Sequence, residues 1–484
     1  MVTILEQAET LPNTWAILAI ISKLKGLNNN KFISKSATMQ DNDDFIKHII
    51  LQQCSQDLSN ALVYKVVLWL FQSDKDLDYV DRNGNTYLLN VVRYYLNDFK
   101  GLLEIMKFLL EKGANPNIRN SKNETVVYHL ILSDGFDENV KKGLELLSNY
   151  GTNLDYGEPF IWAAKSHKLR TKVIQFLPDS VSPDDEDEIG NAFHHLVKSY
   201  SHGIDVGLTS IEEFYSKGVE INSKNKDGET PLHLAVRLNV RKDIILQLLS
   251  HNANVNRKNK EGQTPMHYIL LYLDVNEIFL FNEFLRYGGD LSLKDTFDRN
   301  YLHYAVLAMR PDTLKILSII LKRNICDINA KNRFGKSILH TVCKINCRYH
   351  FISEVATSSY HIEVSDNEWC AGLRIHALRL LINFDANIDI TNSKRRSVMH
   401  ILVIQYDYFM KQKKRDSLKH LHSIIGMVKL LISRRINLQI KDINGKTVID
   451  YLKDYCLRNL RNFIEGHISS HELKEIVITE VLSR

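Results

Sequence analysis

From about residue 76, apolar positions fall into short runs at helical spacing, broken at regular intervals by polar turns. One class of run ends in a polar loop: "IMKFLLEKGANPNIRN" (105–120), "ILQLLSHNANVNRKN" (245–259), "LKILSIILKRNICDINAKN" (314–332), "ALRLLINFDANIDITN" (377–392) and "MVKLLISRRINLQIKD" (427–442). Each has an apolar helix face, a small polar turn, and an Asn or Asp before a short extended segment. The other class follows a polar tip. The clearest is "NKDGETPLHLAVRL" (225–238), with copies in "NKEGQTPMHYIL", "TFDRNYLHYAVL", "NRFGKSILHTVC", "SKRRSVMHILV" and "INGKTVIDYL". Weaker copies lie upstream, in "EIGNAFHHLV", "YGEPFIWAAK", "SKNETVVYHL" and "RNGNTYLLNV".

Aligned on one slot, these frames hold Leu89, Tyr128, Ile161, His195, His233, His267, His303, His340, His400 and Asp450. Successive slots up to His340 are 39, 33, 34, 38, 34, 36 and 37 residues apart, and the last two intervals are 60 and 50. Periods of this size mark stacked repeats, in which one unit cannot bury its apolar face alone. With "G-x-T-P-[LM]-H" at 228–233 and 262–267, the chain resembles the ankyrin-repeat family over roughly residues 76–452. The resemblance implies an all-α ankyrin-repeat solenoid of helix-turn-helix units with β-hairpin tips. Residues 1–75 are then an N-terminal helical cap or degenerate first repeat, and 453–484 a C-terminal capping helix or tail.

The motif has a physical logic. Gly228 and Gly262 admit positive φ before the helix. Thr230 and Thr264 are placed as N-caps, and Pro231 and Pro265 take the first helical position, where no N–H is needed. Leu232 and Met266 begin the apolar stripe. A catalytic histidine would be needed once, so six copies point to a joint between neighbouring hairpins, as the resemblance implies.

Departures from the frame locate expected peculiarities. Asn123, Asp298 and Arg395 replace glycine; Arg tolerates positive φ least, so its tip is expected to be strained or differently shaped, and the C-terminal third to open first. The long intervals mark insertions near 346–373 and 404–421, which on repeat scaffolds map to loops, either a binding face or tolerated surface. The first, with His340 and Cys343 just before it, offers Cys347, His350, His361 and Cys370, types that bind zinc or serve a thiol enzyme. The spacing has no C-x2-C pair, and Cys343 falls on a core-facing helix. No metal site or cofactor is expected.

A net charge of +5 over 56.0 kDa gives no ground for nucleic-acid binding. No apolar run spans a bilayer; "NTWAILAIIS" (13–22) is too short and lacks signal-peptide form. Six scattered cysteines suggest a reducing compartment. No catalytic motif of a hydrolase, zincin, kinase or P-loop enzyme occurs, so an enzyme is not expected.

The expectation is therefore a monomeric scaffold that binds another protein through the concave face and tips. Phe297 and Phe334, flanked by Arg299 and Arg333, would form an apolar-cationic patch, which Tyr268 and Tyr272 would extend. The competing expectation is that tip aromatics pack on neighbouring hairpins. The Lys-, Asn- and Ile-rich style points to a pathogen effector, placed in the cytoplasm, and in the host cytoplasm if bacterial. The tail, with an S-x-x-E capping box at 469–472, faintly resembles the F-box-like element of poxvirus ankyrin proteins and the glutamate-rich secretion signals of bacterial effectors. A ubiquitin-ligase adaptor is the alternative, as is a thiol- or zinc-dependent enzyme in the first insertion.

Overall fold

A computed structural model of the chain describes residues 76–466, interrupted at 95–98, 133–136, 155–158, 166–170, 178–180, 184, 203–208, 273–276, 309, 345–367 and 413–414. The expectations for 1–75, for most of the first insertion and for the tail beyond 466 lie outside the described residues. So do Cys347, His350 and His361. Cys370 falls on a helix, but its side chain is likewise outside.

The chain divides into two compact units at Glu220 and Ile221. The described part of the first holds α1 (Tyr87–Tyr94), α2 (Phe99–Glu111), α3 (Val126–Ile131), α4 (Asp137–Asn149), α5 (Pro159–Lys165), a 3-10 turn (Thr171–Phe176), α6 (Ala192–Ser201) and α7 (Thr209–Ser216). The second holds α8 (Pro231–Arg237), α9 (Lys242–Ser250), α10 (Pro265–Tyr272), α11 (Glu277–Arg286), α12 (Tyr301–Ala308), α13 (Pro311–Arg323), α14 (Ile338–Cys343), α15 (Glu368–Asn383), α16 (Val398–Gln412), α17 (Arg415–Ser433), α18 (Val448–Asp454) and α19 (Arg458–Ile464).

In each unit the first helices of successive pairs pack on one another, as in α8–α10–α12–α14–α16–α18, and second helices do likewise in α11–α13–α15–α17–α19. The first helices are buried nearly all round: every residue of α10 except Tyr272 is buried. That is what a helix enclosed by two neighbours and its own partner requires. Helix α19 packs on α18 and α17 and completes the last pair.

The second insertion is not a loop. Residues 404–412 and 415–421 become extra turns of α16 and α17, because Tyr406, Phe409 and Leu421 continue the apolar face and are buried. Phe409 stacks on His420 at 4.6 Å between ring centroids, and Asp407 accepts from Lys411 at 2.7 Å one turn on. Reading the interval alone misplaced helix as loop.

The tips are closed by hydrogen bonds without strands among the described residues, beyond single bridges at Lys331–Ser337 and Thr391–Ser397. In the tip before α8, Gly228 N–H donates to Asn225 O at 2.8 Å and Asn225 N–H to Glu229 O at 2.9 Å. The glycine slot is left-handed in every described copy, with φ +74° at Gly228, +64° at Asn123, +60° at Asp298 and +53° at Arg395. The Arg395 tip is thus not differently shaped. Asn392 holds it with the same bonds, 2.9 Å from Arg395 N and 3.0 Å to Arg396 O, against an intrinsic cost of about 1–2 kcal/mol for a non-glycine residue.

Candidate functional site

The tips are organised by a residue that the sequence frame left unremarked. Eight positions before the slot stands an Asn or Asp whose side-chain oxygen accepts two backbone N–H groups of its own tip. Asn225 Oδ1 takes those of Asp227 (3.0 Å) and Glu229 (2.9 Å), Asn259 those of Glu261 and Gln263, and Asp295 those of Phe297 and Arg299. Asn332, Asn392 and Asp442 do the same. This side-chain mimic of a turn presets the tip before any neighbour arrives. Later tips then donate a backbone N–H to the one before: Lys260 to Asp227 O (3.1 Å), Thr296 to Glu261 O (2.9 Å), Arg333 to Phe297 O (2.8 Å) and Ile443 to Lys394 O (3.0 Å), while Ser393 uses its hydroxyl, to Phe334 O (3.0 Å).

The slot histidines are joints. His233 Nδ1 accepts from Thr230 N at 3.1 Å, and Nε2 lies 3.0 Å from Gln263 O in the next repeat. His340 reaches Arg396 O at 2.9 Å and His400 reaches Lys446 O at 3.2 Å in the same way. His267 instead stacks on Tyr301, with centroids 4.0 Å apart. Burial pushes His303 and His340 down to about 4, so both rings are neutral near pH 7. The capping half of the role needs only an acceptor: Asp450 Oδ2 takes Thr447 N at 2.9 Å.

In the first unit the register moves by one. His194, not His195, is the slot residue: its Nδ1 is 2.9 Å from Asn191 Oδ1 and 3.2 Å from Asn191 N. His195 Nε2 instead meets Asp187 Oδ1 at 2.9 Å, while Lys165 holds the other oxygen at 2.9 Å. This tip closes one residue early, Asp187 N–H donating to Gly190 O at 3.1 Å, and the His-His pair concealed the shift.

The expected partner-facing residues separate into two groups. Phe297 and Phe334 come together, their rings stacked at 6.0 Å with an interplanar angle of 20°. They pack on each other, yet Phe334 remains 48% exposed and Phe297 half-buried. Arg333 is exposed beside them. Tyr272 is half-buried, its ring edge-on to Tyr268 at 4.9 Å, and burial pushes its hydroxyl up to about 12.

Arg299 and Tyr268 are corrections: neither reaches the surface. Arg299 is 4% exposed and gives Nε to Asp295 Oδ2 at 2.5 Å, its guanidinium 4.9 Å from the Phe297 ring centre. Tyr268 donates its hydroxyl to Glu229 Oε1 at 2.8 Å, and Arg237 holds Glu229 Oε2 at 2.7 Å. The two belong to one buried polar ladder. Asn259 Nδ2 bonds both Tyr268 Oη (3.0 Å) and Gln263 Oε1 (3.2 Å). Gln263 Nε2 donates to Tyr304 Oη at 3.0 Å, and Tyr304 donates to Asp295 Oδ2 at 2.7 Å. The ladder runs from Arg237 to Arg299 across three repeats, so both predicted contact residues are committed to the interior.

Cys343 is buried, and burial pushes its thiol up to about 12, which disfavours a reactive thiolate. Among the described residues, no group of three His, Cys, Asp or Glu side chains could hold a metal ion, and no helix is long and apolar enough to cross a membrane.

Two segments of this helix-pair array match known repeat models. A model of the ankyrin repeat matches residues 83–121, and a model of three successive ankyrin repeats matches 193–295. The chain carries ankyrin repeats. Such repeats are scaffolds for protein–protein interaction, in which a repeated frame carries a variable surface. An ankyrin repeat-containing protein of Schizosaccharomyces pombe is 33% identical over 89 residues, 18% of this chain and 41% of that protein. A putative ankyrin repeat protein of Rickettsia felis is 38% identical over 81 residues, 16% of this chain and 34% of that one. The matched segments thus span under half the length of either relative. Among solved structures, the ankyrin repeat domain of Bcl-3, a member of the IkappaB family, aligns with a TM-score of 0.37 at 17% identity, covering 56% of this chain and 99% of that domain.

Proposed function

We propose that this ankyrin-repeat chain holds a partner protein on the tip row of its second unit, around Phe297, Arg333 and Phe334. The observation that supports this is the stacked aromatic pair. A ring left 48% exposed at Phe334 gains no full burial within the fold. Aromatic and Arg side chains are the usual anchors of interfaces. Tyr272 is a secondary contact on the first-helix side.

The test is site-specific photocrosslinking in lysate of the producing cell, with benzoylphenylalanine at position 334 or at position 279. Phe279 is similarly exposed, on α11, and serves as control. A discrete adduct at 334 and none at 279 is expected. Equal labelling at both positions, or none at 334, overturns the assignment. The finer form, an effector acting in a host cell, draws support from the Lys-, Asn- and Ile-rich composition and the rickettsial similarity. Its test is the same crosslink formed inside a host cell during infection by the source organism, and absence of chain from host cytosol would refute it.

A further inference from the structure

The residue before the glycine slot changes along the tip row of the second unit. In the first two tips it is Asp227 and Glu261, each beside an exposed lysine, Lys226 and Lys260. From Phe297 onward it is Phe297, Phe334, Lys394 and Asn444, none of them acidic. The segments 295–299, 331–336, 391–396 and 441–446 carry Lys331, Arg333, Lys336, Lys394, Arg395, Arg396, Lys441 and Lys446. Their carboxylates are Asp295, Asp298 and Asp442, and the first and last are buried. Asp295 is taken by Arg299 and Tyr304, and Asp442 by Tyr451 at 2.7 Å and Arg396 at 3.4 Å. Asp298 alone among them is exposed.

Some of these cations are matched within the fold, as Lys446 is to Asp454 at 2.6 Å. Five are not: among the described residues, Lys331, Arg333, Lys394, Arg395 and Lys441 form no ion pair, and all five are exposed. They belong to the same run of tips as the Phe297–Phe334 stack and Ile443, which is 64% exposed. The four tips are one connected row, joined by Arg333 N to Phe297 O, Ser393 Oγ to Phe334 O at 3.0 Å, and Ile443 N to Lys394 O.

From this juxtaposition we infer that the occupant of the tip row is an acidic protein segment carrying apolar side chains, lying along the tips from Phe297 to Ile443. The inference rests on the tip-row assignment above and adds the chemistry of the partner. Opposite charge complementing five unmatched cations favours carboxylates and steers their approach. The aromatic pair favours a peptide over a nucleic acid. A stacking nucleobase needs an open ring face. Here Arg299 lies over Phe297 at 4.9 Å and Lys336 over Phe334 at 5.8 Å, and the rings also stack on each other. What remains is mostly ring edge, which is electropositive and suits carboxylates and aliphatic groups.

The experiment is selection of a random 16-residue peptide library displayed on phage against the full chain, with the same selection on Phe334→Ala and on the double variant Arg333→Glu/Lys394→Glu. All three positions are exposed or at the tip surface, and matching thermal unfolding curves establish that the variants are folded. Peptides enriched in Asp and Glu with interspersed Leu, Ile or Phe are expected on the unaltered chain. A representative peptide should weaken about 10-fold on Phe334→Ala, the scale of an interface anchor, and at least as much on the charge reversal. Enrichment of neutral or basic peptides, no enrichment, or binding unaffected by either variant overturns the inference. Tighter binding of a 20-nucleotide oligothymidine than of the selected peptide overturns it in favour of nucleic acid. A crosslink at position 334 to a segment without acidic residues would refute this inference and leave the tip-row assignment standing, whereas no crosslink there would remove both.

Discussion

Gly262 and Gly445 have the same backbone, φ +74° and +73°, in tips of the same design, yet replacing each by Ala should cost very different amounts. At Gly445 a new Cβ meets nothing within 4 Å, so the cost is conformational alone. A left-handed residue with a side chain costs about 1–2 kcal/mol. Reduced freedom of the unfolded chain returns about 0.4–1 kcal/mol, leaving a net loss of under ~1.5 kcal/mol. At Gly262 the Cβ would lie 2.7 Å from Thr296 N and 3.1 Å from Asp295 C, backbone atoms that cannot swing aside. The tips must part, and two bonds to Glu261 O, from Thr296 N and Thr296 Oγ1 at 2.9 Å each, are stretched or lost. At about 1 kcal/mol apiece, these bring the Gly262→Ala loss to roughly 2–3.5 kcal/mol. Because repeats unfold partly independently, a single melting midpoint is a poor measure. Native-state hydrogen exchange at the Thr296 amide reads the event locally. Its protection should fall in Gly262→Ala by about 30-fold more than amides around Gly445 fall in Gly445→Ala, the equivalent of the two bonds. Equal losses at both sites would show that φ alone sets the cost and that tip contact contributes nothing.

Acidification should weaken the fold through the histidine joints. His303 and His340 have folded values lowered to about 4 against about 6.5 unfolded, so the unfolded chain binds more protons between these limits. Their contribution is complete above pH 6.5 and is lost as pH falls toward 4; urea midpoints measured across that window should fall, and His340→Gln should flatten the slope. Tyr304→Phe should cost about 1–3 kcal/mol. It removes the hydroxyl that links Gln263 to Asp295 and leaves a buried amide short of a partner. The cost should appear as faster exchange in α10 and α12, and a neutral result would show that water replaces the hydroxyl.

Much of this was legible in the residues because repetition converts weak local signals into one strong one. Thr230, Pro231 and His233 declare cap, first turn and joint, and the described structure places them so. The Asn or Asp eight residues before each slot was equally visible, present from Asp81 to Asp442, but its purpose appears only when its oxygen is seen taking two N–H groups. Three features were hidden for different reasons. The His194–His195 pair left the register free by one. Residues 404–421 satisfy helical periodicity only if Tyr406, Phe409 and Leu421 are counted as core, which spacing cannot decide. Tyr268 and Arg299 look like surface anchors until Glu229 and Asp295 are seen buried beside them, since amphipathic side chains serve both places.

The chain of tip-to-tip bonds also has a direction. In five described steps the later tip donates its backbone N–H to the earlier tip's carbonyl, and at Ser393 the side-chain hydroxyl donates in its place. Each of these boundaries therefore presents the same polarity, donor on the later side and acceptor on the earlier. A repeat duplicated or lost between two such boundaries would be rejoined without a mismatch. Length is thus an adjustable quantity in this molecule, and the surface that reads a partner can drift by whole repeats while the frame that carries it stays intact.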